Sequence, residues 1–592
     1  MPSESISANE YSPLQANPLS AAILGEDSLS WLVLAVWLVT LLGAITLPIL
    51  PIDETRYVSV AWEMWQAHSQ WVPLMNGQPY SDKPPLLFWL IEIGWRLTGI
   101  TPLWPKLIAP LASLIAAIKL FRIARNTGAS VQEARYAQLV LFTLPLWIAF
   151  SQMVMFDLLL TACLSGAIEP LTREGRITWK RTLVSALWLG AALLAKGPVA
   201  LVVFLPMALG APLWGPLNSS LSEAASSALA SPTLAPSTSA SIKHYYGRII
   251  ACIFIAAMIL ASWALPAAYY GGHVFAHSLL WGQTADRLSG AAAPHARPIW
   301  WYLAWLPVLF FPWCLWINQV PLLKLLQWRT RLPVQPLLFW WLIPPFAIFS
   351  LISGKQIHYL VPLMPAVALL ITRQLSQVIT LADKKRVAEH SDIPKARQLL
   401  GLKRLSCLFI LLTVICLFCM KLKGLNTLLP DFGQWLSFAA AIFLIAAATY
   451  WHLARVTSAR IRTVLIALGI CFIEILLAHQ FLHQYQSRYD IRPLSYALSQ
   501  LEQKGESIAY IDGNYQATFQ FAGQLTSPLV SDTVRRSPMR YAEDHPTFWL
   551  IGSYHDFPTD ALHLPQAKTF QFEGRTLLLI PAKSLLKTGH PA

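Results

Sequence analysis

Residues 84–99 read PPLLFWLIEIGWRLTG, and their placement decides the topology of the whole chain. A bilayer crossing needs about 20 predominantly apolar residues. This run is shorter and contains Glu92 and Arg96. Counted as a span, it would put FRIARN (121–126) on the outer side, against the tendency of Lys and Arg to stay cytoplasmic. Read as a helix lying along the interface, it makes the map consistent. Working outward from it, the apolar runs give about thirteen spans, at roughly 30–51, 103–122, 135–152, 157–171, 181–196, 198–214, 248–268, 299–320, 336–352, 360–378, 405–421, 434–452 and 462–482. The N-terminus is then cytoplasmic and the C-terminus lies outside.

Composition supports this class. Of 592 residues 55% are hydrophobic and only 12% charged, with mean hydropathy +0.49. A soluble domain carries about 25% charged residues. The net charge of +14 does not point to nucleic acid, because Lys and Arg gather in short segments between apolar runs, where they set topology. All seven cysteines fall within apolar runs and away from clustered histidines, so they read as small buried side chains and report nothing about redox compartment. Residues 1–29 form a polar tail without the basic start of a cleaved signal peptide. Residues 215–247 begin with a Ser/Ala/Pro-rich stretch and read as a flexible cytoplasmic insert. Residues 30–485 form the membrane domain, and 486–592, with short β-rich runs such as TFWLIGSYHDF and TLLLIPA, form a small α/β domain outside. The expected fold is therefore an all-α polytopic membrane protein with a small C-terminal α/β domain.

Polar groups at membrane depth are costly and point to function when nothing cancels them. Five clusters fall on the outer face. IDETRY supplies Asp53, Glu54, Arg56 and Tyr57; YSDKPPL supplies Asp82 and Lys83; Asp157 stands alone in SQMVMFDLLLTA. The loop 269–303 carries His273, His277, Arg287, His295 and Arg297, and SGKQIHYLVPLMP carries Lys355, His358 and Tyr359. Simpler readings exist for single members: Asp53 or Asp157 as a helix cap, Lys83 as a snorkelling lysine. Taken together, carboxylates and cations among Trp62, Trp65, Trp71, Trp89, Trp300 and Trp301 suit chemistry on a lipid-linked anionic substrate. No Gly-rich nucleotide loop is present. The donor must be reachable outside the cell, and a polyprenyl-phosphate sugar meets that requirement.

At these residues the chain resembles the multi-span, lipid-linked-sugar glycosyltransferases of the GT-C class, and most of all the bacterial aminoarabinose transferases of lipid A, relatives of the protein O-mannosyltransferases. The likeness rests on DETRY, NGQPYSDKPPLLFW, Asp157, LLAKGPVAL (193–201), HARPIWWYL (295–303) and SGKQIHYLVPLMPA (353–366), and covers roughly residues 30 to 380. It implies a catalytic role for Asp53, with Asp157 as the second acidic position; Glu54, beside Asp53 in the same cluster, is a further candidate from the residues themselves. It also implies phosphate contacts from Lys83 and Tyr359. Arg56, Tyr57, Lys196, Arg287 and Lys355 complete the expected donor-binding set. The chain departs from the pattern at WGQTADRL, which lacks a histidine before its Arg, and at Asp82, where a glutamate is common. A divalent metal is thus only a candidate cofactor, with Asp82, His273 and His277 its weak ligands. The expected reaction is transfer of a sugar from an undecaprenyl-phosphate donor to lipid A at the periplasmic face of the inner membrane. The alternatives are a protein O-glycosyltransferase and a lipid-linked-sugar flippase without chemistry. Membrane lipids are expected partners and nucleic acid is not.

Overall fold

A computed structural model of the chain describes residues 26–214, 238–282, 296–315, 334–389, 393–421, 432–456, 459–531 and 537–587. Helical elements stand at each of the thirteen places where the sequence predicts a span. Length and apolarity alone identify seven of the described helices as able to cross a bilayer: Asp27–Thr46, Leu103–Asn126, Ile242–Leu280, Val334–Leu351, Ile357–Ser376, Leu402–Cys419 and Gly433–Leu453. The remaining six differ for identifiable reasons. The segment expected at 135–152 is two helices, Val131–Leu141 and Pro145–Ser151, bent by 70°. Pro145 occupies the first turn of the second helix, where its missing N–H costs nothing. Phe156–Thr172 and Val199–Trp214 are short, and Trp179–Lys196 carries Lys180, Arg181 and Lys196. Trp301–Leu309 covers only part of 299–320, and the apolar part of Ala459–Tyr489 is Val464–Gln480.

Residues 86–98 form the helix Leu86–Thr98, whose neighbours are the helices Asp53–Gln66 and Leu103–Asn126. Leu87, Phe88, Ile91 and Trp95 face the protein, while Ile93 and Leu97 are exposed. Gly94 is required here. A Cβ at that position would lie 1.6 Å from the Trp104 indole nitrogen, which donates to the Leu90 carbonyl.

Phe156–Thr172 is buried along its entire length, between Leu103–Asn126, Trp179–Lys196 and Val199–Trp214. Its first turn, the loop before Leu86–Thr98, the end of Trp179–Lys196 and the turn Ile357–Leu363 meet at one end of the bundle. Tyr57 packs edge-on against Phe156, Gly197 lies beside Pro84, and the Trp263 indole donates to the Trp71 carbonyl. At the opposite end Ser130 and Glu133 cap a helix reciprocally, and Arg373 pairs with Glu133.

The last part of the chain is a five-stranded sheet of order β4-β3-β5-β7-β6, from β3 (Ile508–Tyr510), β4 (Val530–Ser531), β5 (Trp549–Ser553), β6 (Lys568–Phe572) and β7 (Arg575–Pro581). β4, β3 and β5 run parallel; β5, β7 and β6 are antiparallel. Strand alternation gives the sheet two apolar faces. Leu577 and Leu579 meet the helix Arg492–Gln503 through Leu494, Leu498 and Leu501. Leu578 and Ile580 pack with Tyr541, Phe557 and Leu585 on the other side.

This sheet unit is fastened to the first loop of the membrane domain. A two-residue turn at Asn76 and Gly77, both at positive φ, joins β1 (Leu74–Met75) to β2 (Gln78–Pro79). Glu63 holds that turn by accepting from the Asn76 and Gly77 N–H groups at 2.7 and 2.8 Å. Asn76 in turn exchanges two 2.8 Å bonds with the Leu529 backbone. Trp62 donates to the Leu525 carbonyl, and Phe521 stacks on Trp95 at 5.3 Å.

Candidate active site

The helix Asp53–Gln66 starts at Asp53, so successive side chains leave it about 100° apart and neighbours in sequence face different surroundings. Asp53 is about half exposed and forms an ion pair with Arg56 one turn on. The Arg56 Nη1 also donates to Gln516 Oε1 at 2.9 Å, and its Nε is buried without a partner. Tyr57 is buried beside them, with the Arg56 guanidinium 5.3 Å from its ring centre. Tyr80 is buried in the field of Asp82, Arg56, Tyr57 and Asp53. Burial raises both phenols, and Asp53 raises both further, with Asp157 acting on Tyr57 and Asp82 on Tyr80. Both stay protonated at neutral pH, as hydrogen-bond donors.

Asp157 opens the buried helix but caps nothing, because the cap position is Met155 and no side-chain cap bond forms there. Its carboxylate instead accepts from Lys196 Nζ at 2.5 Å, with both side chains largely buried. Lys196 sits in the last turn of its helix, which ends at Gly197 (φ +69°). The same ammonium lies 5.2 Å from the Tyr359 ring centre. Asp157 also contributes to the field at Tyr57, so the pairs around Asp53 and Asp157 belong to one site. Lys83 precedes Pro84, which lies against Gly197, so the lysine stands at the edge of this cluster with its Nζ toward the Asp82 carbonyl at 3.4 Å. The structure thus brings together Asp53, Arg56, Tyr57, Lys83, Asp157, Lys196 and Tyr359.

Other expected residues stand elsewhere. Glu54 is sealed in a 2.6 Å ion pair with Lys106, and both side chains are almost wholly buried. Burial raises its carboxyl above the usual range, and Lys106 opposes that shift. It ties two helices together. Lys355 is also buried, its ammonium bonded to the Arg297 and Ile352 carbonyls at 2.9 and 2.5 Å. It pins the loop before Tyr359. Arg287 and His295 lie outside the described residues.

The metal expectation does not fit. Among the described residues no three His, Cys, Asp or Glu side chains converge to hold an ion. His273 and His277 are exposed and follow a break at Gly272 (φ +80°) in a 40-residue helix. No step is derived through a metal.

Three contributors carried no role in the sequence analysis. Tyr80 stands in the YSDKPPL motif, Lys106 is a lone cation near the start of an apolar run, and Gln516 lies 460 residues from its partner. Only the first two offered a signal, a phenol and a charge in unusual places.

Three comparisons bear on this site. Residues 82–239 match the profile of the dolichyl-phosphate-mannose-protein mannosyltransferase family. The undecaprenyl phosphate-alpha-4-amino-4-deoxy-L-arabinose arabinosyl transferase 1 of Sodalis glossinidius is 27% identical over 332 residues, which are 54% of this chain and 53% of that protein. A second such transferase, from Proteus mirabilis, is 25% identical over 330 residues, 54% of each chain. The chain therefore spans about half the length of the curated relatives it matches. The crystal structure of ArnT from Cupriavidus metallidurans bound to undecaprenyl phosphate superposes with a TM-score of 0.69 at 17% identity, covering 96% of this chain and 100% of that one. Its apo form gives 0.67 at 16% identity, covering 95% and 99%. The fold is shared over nearly the whole chain.

Proposed function

We propose that this chain, a GT-C-type relative of the aminoarabinose transferases, moves a sugar from an undecaprenyl-phosphate donor to lipid A at the periplasmic face of the bacterial inner membrane. The carrying observation is the convergence of Asp53–Arg56, Asp157–Lys196, Lys83 and Tyr359 at one end of the bundle. Carboxylates interleaved with cations suit a reaction that expels a phosphate and accepts a nucleophile.

The leaving group is a phosphate whose charge grows as the glycosidic bond breaks. Lys83 stands at the edge of the cluster and stabilises that charge. Lys196 is neutralised by Asp157, so that pair sets the field and the position of Tyr359 more than it supplies net charge. Of the two paired carboxylates, Asp157 is buried and Asp53 half-exposed, so Asp53 is the one open to an acceptor. With a hydroxyl acceptor it serves as general base; with an already ionised phosphate acceptor it orients the partners. Tyr57 and Tyr80 donate from the floor of the site. The acceptor attacks from the face opposite the phosphate, so configuration at the sugar carbon inverts.

In a Gram-negative host that makes the donor but lacks its own aminoarabinose transferase, the chain should add aminoarabinose to lipid A, read by mass spectrometry. Sugar found on envelope proteins, with lipid A unchanged, would favour the O-glycosyltransferase reading that the mannosyltransferase match supports.

A further inference from the structure

We propose that Gln516 of the C-terminal sheet unit is a positioning residue for the transfer: it fixes the plane of the Arg56 guanidinium, so that the site is complete only with this unit docked. The inference rests on the function proposed above.

The Asp53–Arg56 pair is one turn apart on a helix edge, and Asp53 is about half exposed. A contact of that kind is weak, and the Tyr57 hydroxyl that also bonds Arg56 comes from the same helix, so neither ties the guanidinium to the rest of the molecule. A planar fork is fixed when acceptors engage two of its nitrogens. Here Asp53 takes Nη2 and Gln516 Oε1 takes Nη1 at 2.9 Å. Gln516 is neutral, so it orients Arg56 without cancelling its charge, which stays available to Asp53 and to an anionic donor.

The segment carrying Gln516 is itself rigid. Tyr515 is buried; its hydroxyl donates to Gln520 Oε1 at 2.6 Å and accepts from the Phe519 N–H at 2.9 Å. Ala517 takes a left-handed conformation (φ +53°) that L side chains seldom adopt, turning the chain directly after Gln516. Beyond it the Phe521 N–H donates to Ser59 Oγ at 3.1 Å, on the same helix as Arg56. A glutamine on a free loop would not be held to this degree.

The test is a double-mutant cycle on the full chain in detergent, with undecaprenyl-phosphate aminoarabinose as donor and lipid A as acceptor. Gln516→Leu keeps the volume and loses the acceptor; it should lower kcat about tenfold with donor KM and melting temperature nearly unchanged. In an Arg56→Ala background the same change should cost less than about twofold, because the residue it positions is gone. Gln516→Glu keeps an acceptor at the same reach but adds a negative charge beside Arg56, so kcat should stay within about threefold of wild type while the donor KM rises several-fold. As a docking control, Asn76→Ala removes the bonds to Leu529 and should lower the melting temperature with kcat within about twofold. Full additivity of the two losses, or wild-type kcat in Gln516→Leu, would overturn the proposal. A wild-type chain that transfers nothing would overturn the function itself, and this inference with it; additivity in an active wild type would overturn this inference alone.

Discussion

The buried helix Phe156–Thr172 carries a carboxylate–lysine pair at each end, and the two ends differ in what surrounds the pair. At the far end Glu169 takes two cations, Arg173 at 2.8 Å and Lys119 at 3.6 Å. Lys119 also lies 5.1 Å from the Trp188 ring centre, and Arg181 is occupied by the carbonyls of residues 173–175. Glu169, Lys119, Arg173 and Arg181 are thus engaged within the protein, and the arrangement ties the helices together. At the near end Asp157 takes Lys196, but Asp53, Arg56, Tyr57, Tyr80, Asp82 and Lys83 stand around it. A buried ion pair is weak evidence of function, since its attraction is largely offset by desolvation. What separates the ends is the further polar groups at the near one, beyond what holding helices together requires.

Several experiments would break or sharpen that contrast. The largest effect is expected of Asp53→Asn, which keeps the side-chain size and removes charge and basicity. Transfer should fall about 10²- to 10⁴-fold, with protein abundance and melting temperature unchanged. Activity within a few-fold of wild type would move the catalytic role away from Asp53. Next, Lys83→Ala should cost about 10²- to 10³-fold in kcat, as for a lost oxyanion donor, and Lys83→Arg should restore only part of it. Wild-type turnover by Lys83→Ala would return that lysine to an interfacial anchor.

The two ends can be set against each other directly. Asp157→Asn and Glu169→Gln each leave a buried cation without its counter-ion, at a cost of about 3–5 kcal/mol in stability. Only Asp157→Asn should also reduce turnover per folded molecule. Equal turnover losses from both would erase the contrast. Glu54→Gln belongs with Glu169→Gln: it strands Lys106 and should lower the melting temperature, with turnover per folded molecule retained.

The smallest effect concerns Glu92 on the helix Leu86–Thr98. Burial raises its carboxyl to about 7, with Arg96 opposing the shift. Its folded-state pKa thus lies above the unfolded value, so the folded chain binds more protons. The neutral acid is the favoured form, and stability is lost as pH rises from about 4.5 to 7. Glu92→Gln should flatten that dependence and raise the melting temperature at pH 8 by roughly 2–4 °C. An unchanged pH profile would place the carboxylate in water.

Much of this was legible in the sequence, for physical reasons that also mark where legibility stopped. Apolar run lengths and the spread of Lys and Arg give the helical elements, because both respond to the bilayer itself. The charged outer clusters stand out because charge at membrane depth needs a reason. Pairing is different. DETRY places Asp53 and Glu54 side by side, and nothing in the string says that a helix turns one to the site and the other to Lys106. Lys119 sits unremarked in IAAIKLF until the fold brings Glu169 to it. Asp157 looks like a cap because it opens a helix, yet Met155 holds the cap position. Gln516 carries no charge and no motif, so its contact with Arg56 is visible only in three dimensions. The bend between Leu141 and Pro145 was hidden in one continuous apolar run.

The central claim is that this end of the bundle breaks a sugar–phosphate bond, and the most direct test follows the bond. Purified chain in detergent, given undecaprenyl-phosphate aminoarabinose and lipid A, should release undecaprenyl phosphate in step with modified lipid A. Configuration at the transferred carbon should be inverted, and both products should vanish together in Asp53→Asn. Intact donor recovered after long incubation, with the same chain moving that donor across a vesicle bilayer, would contradict the account and identify a carrier.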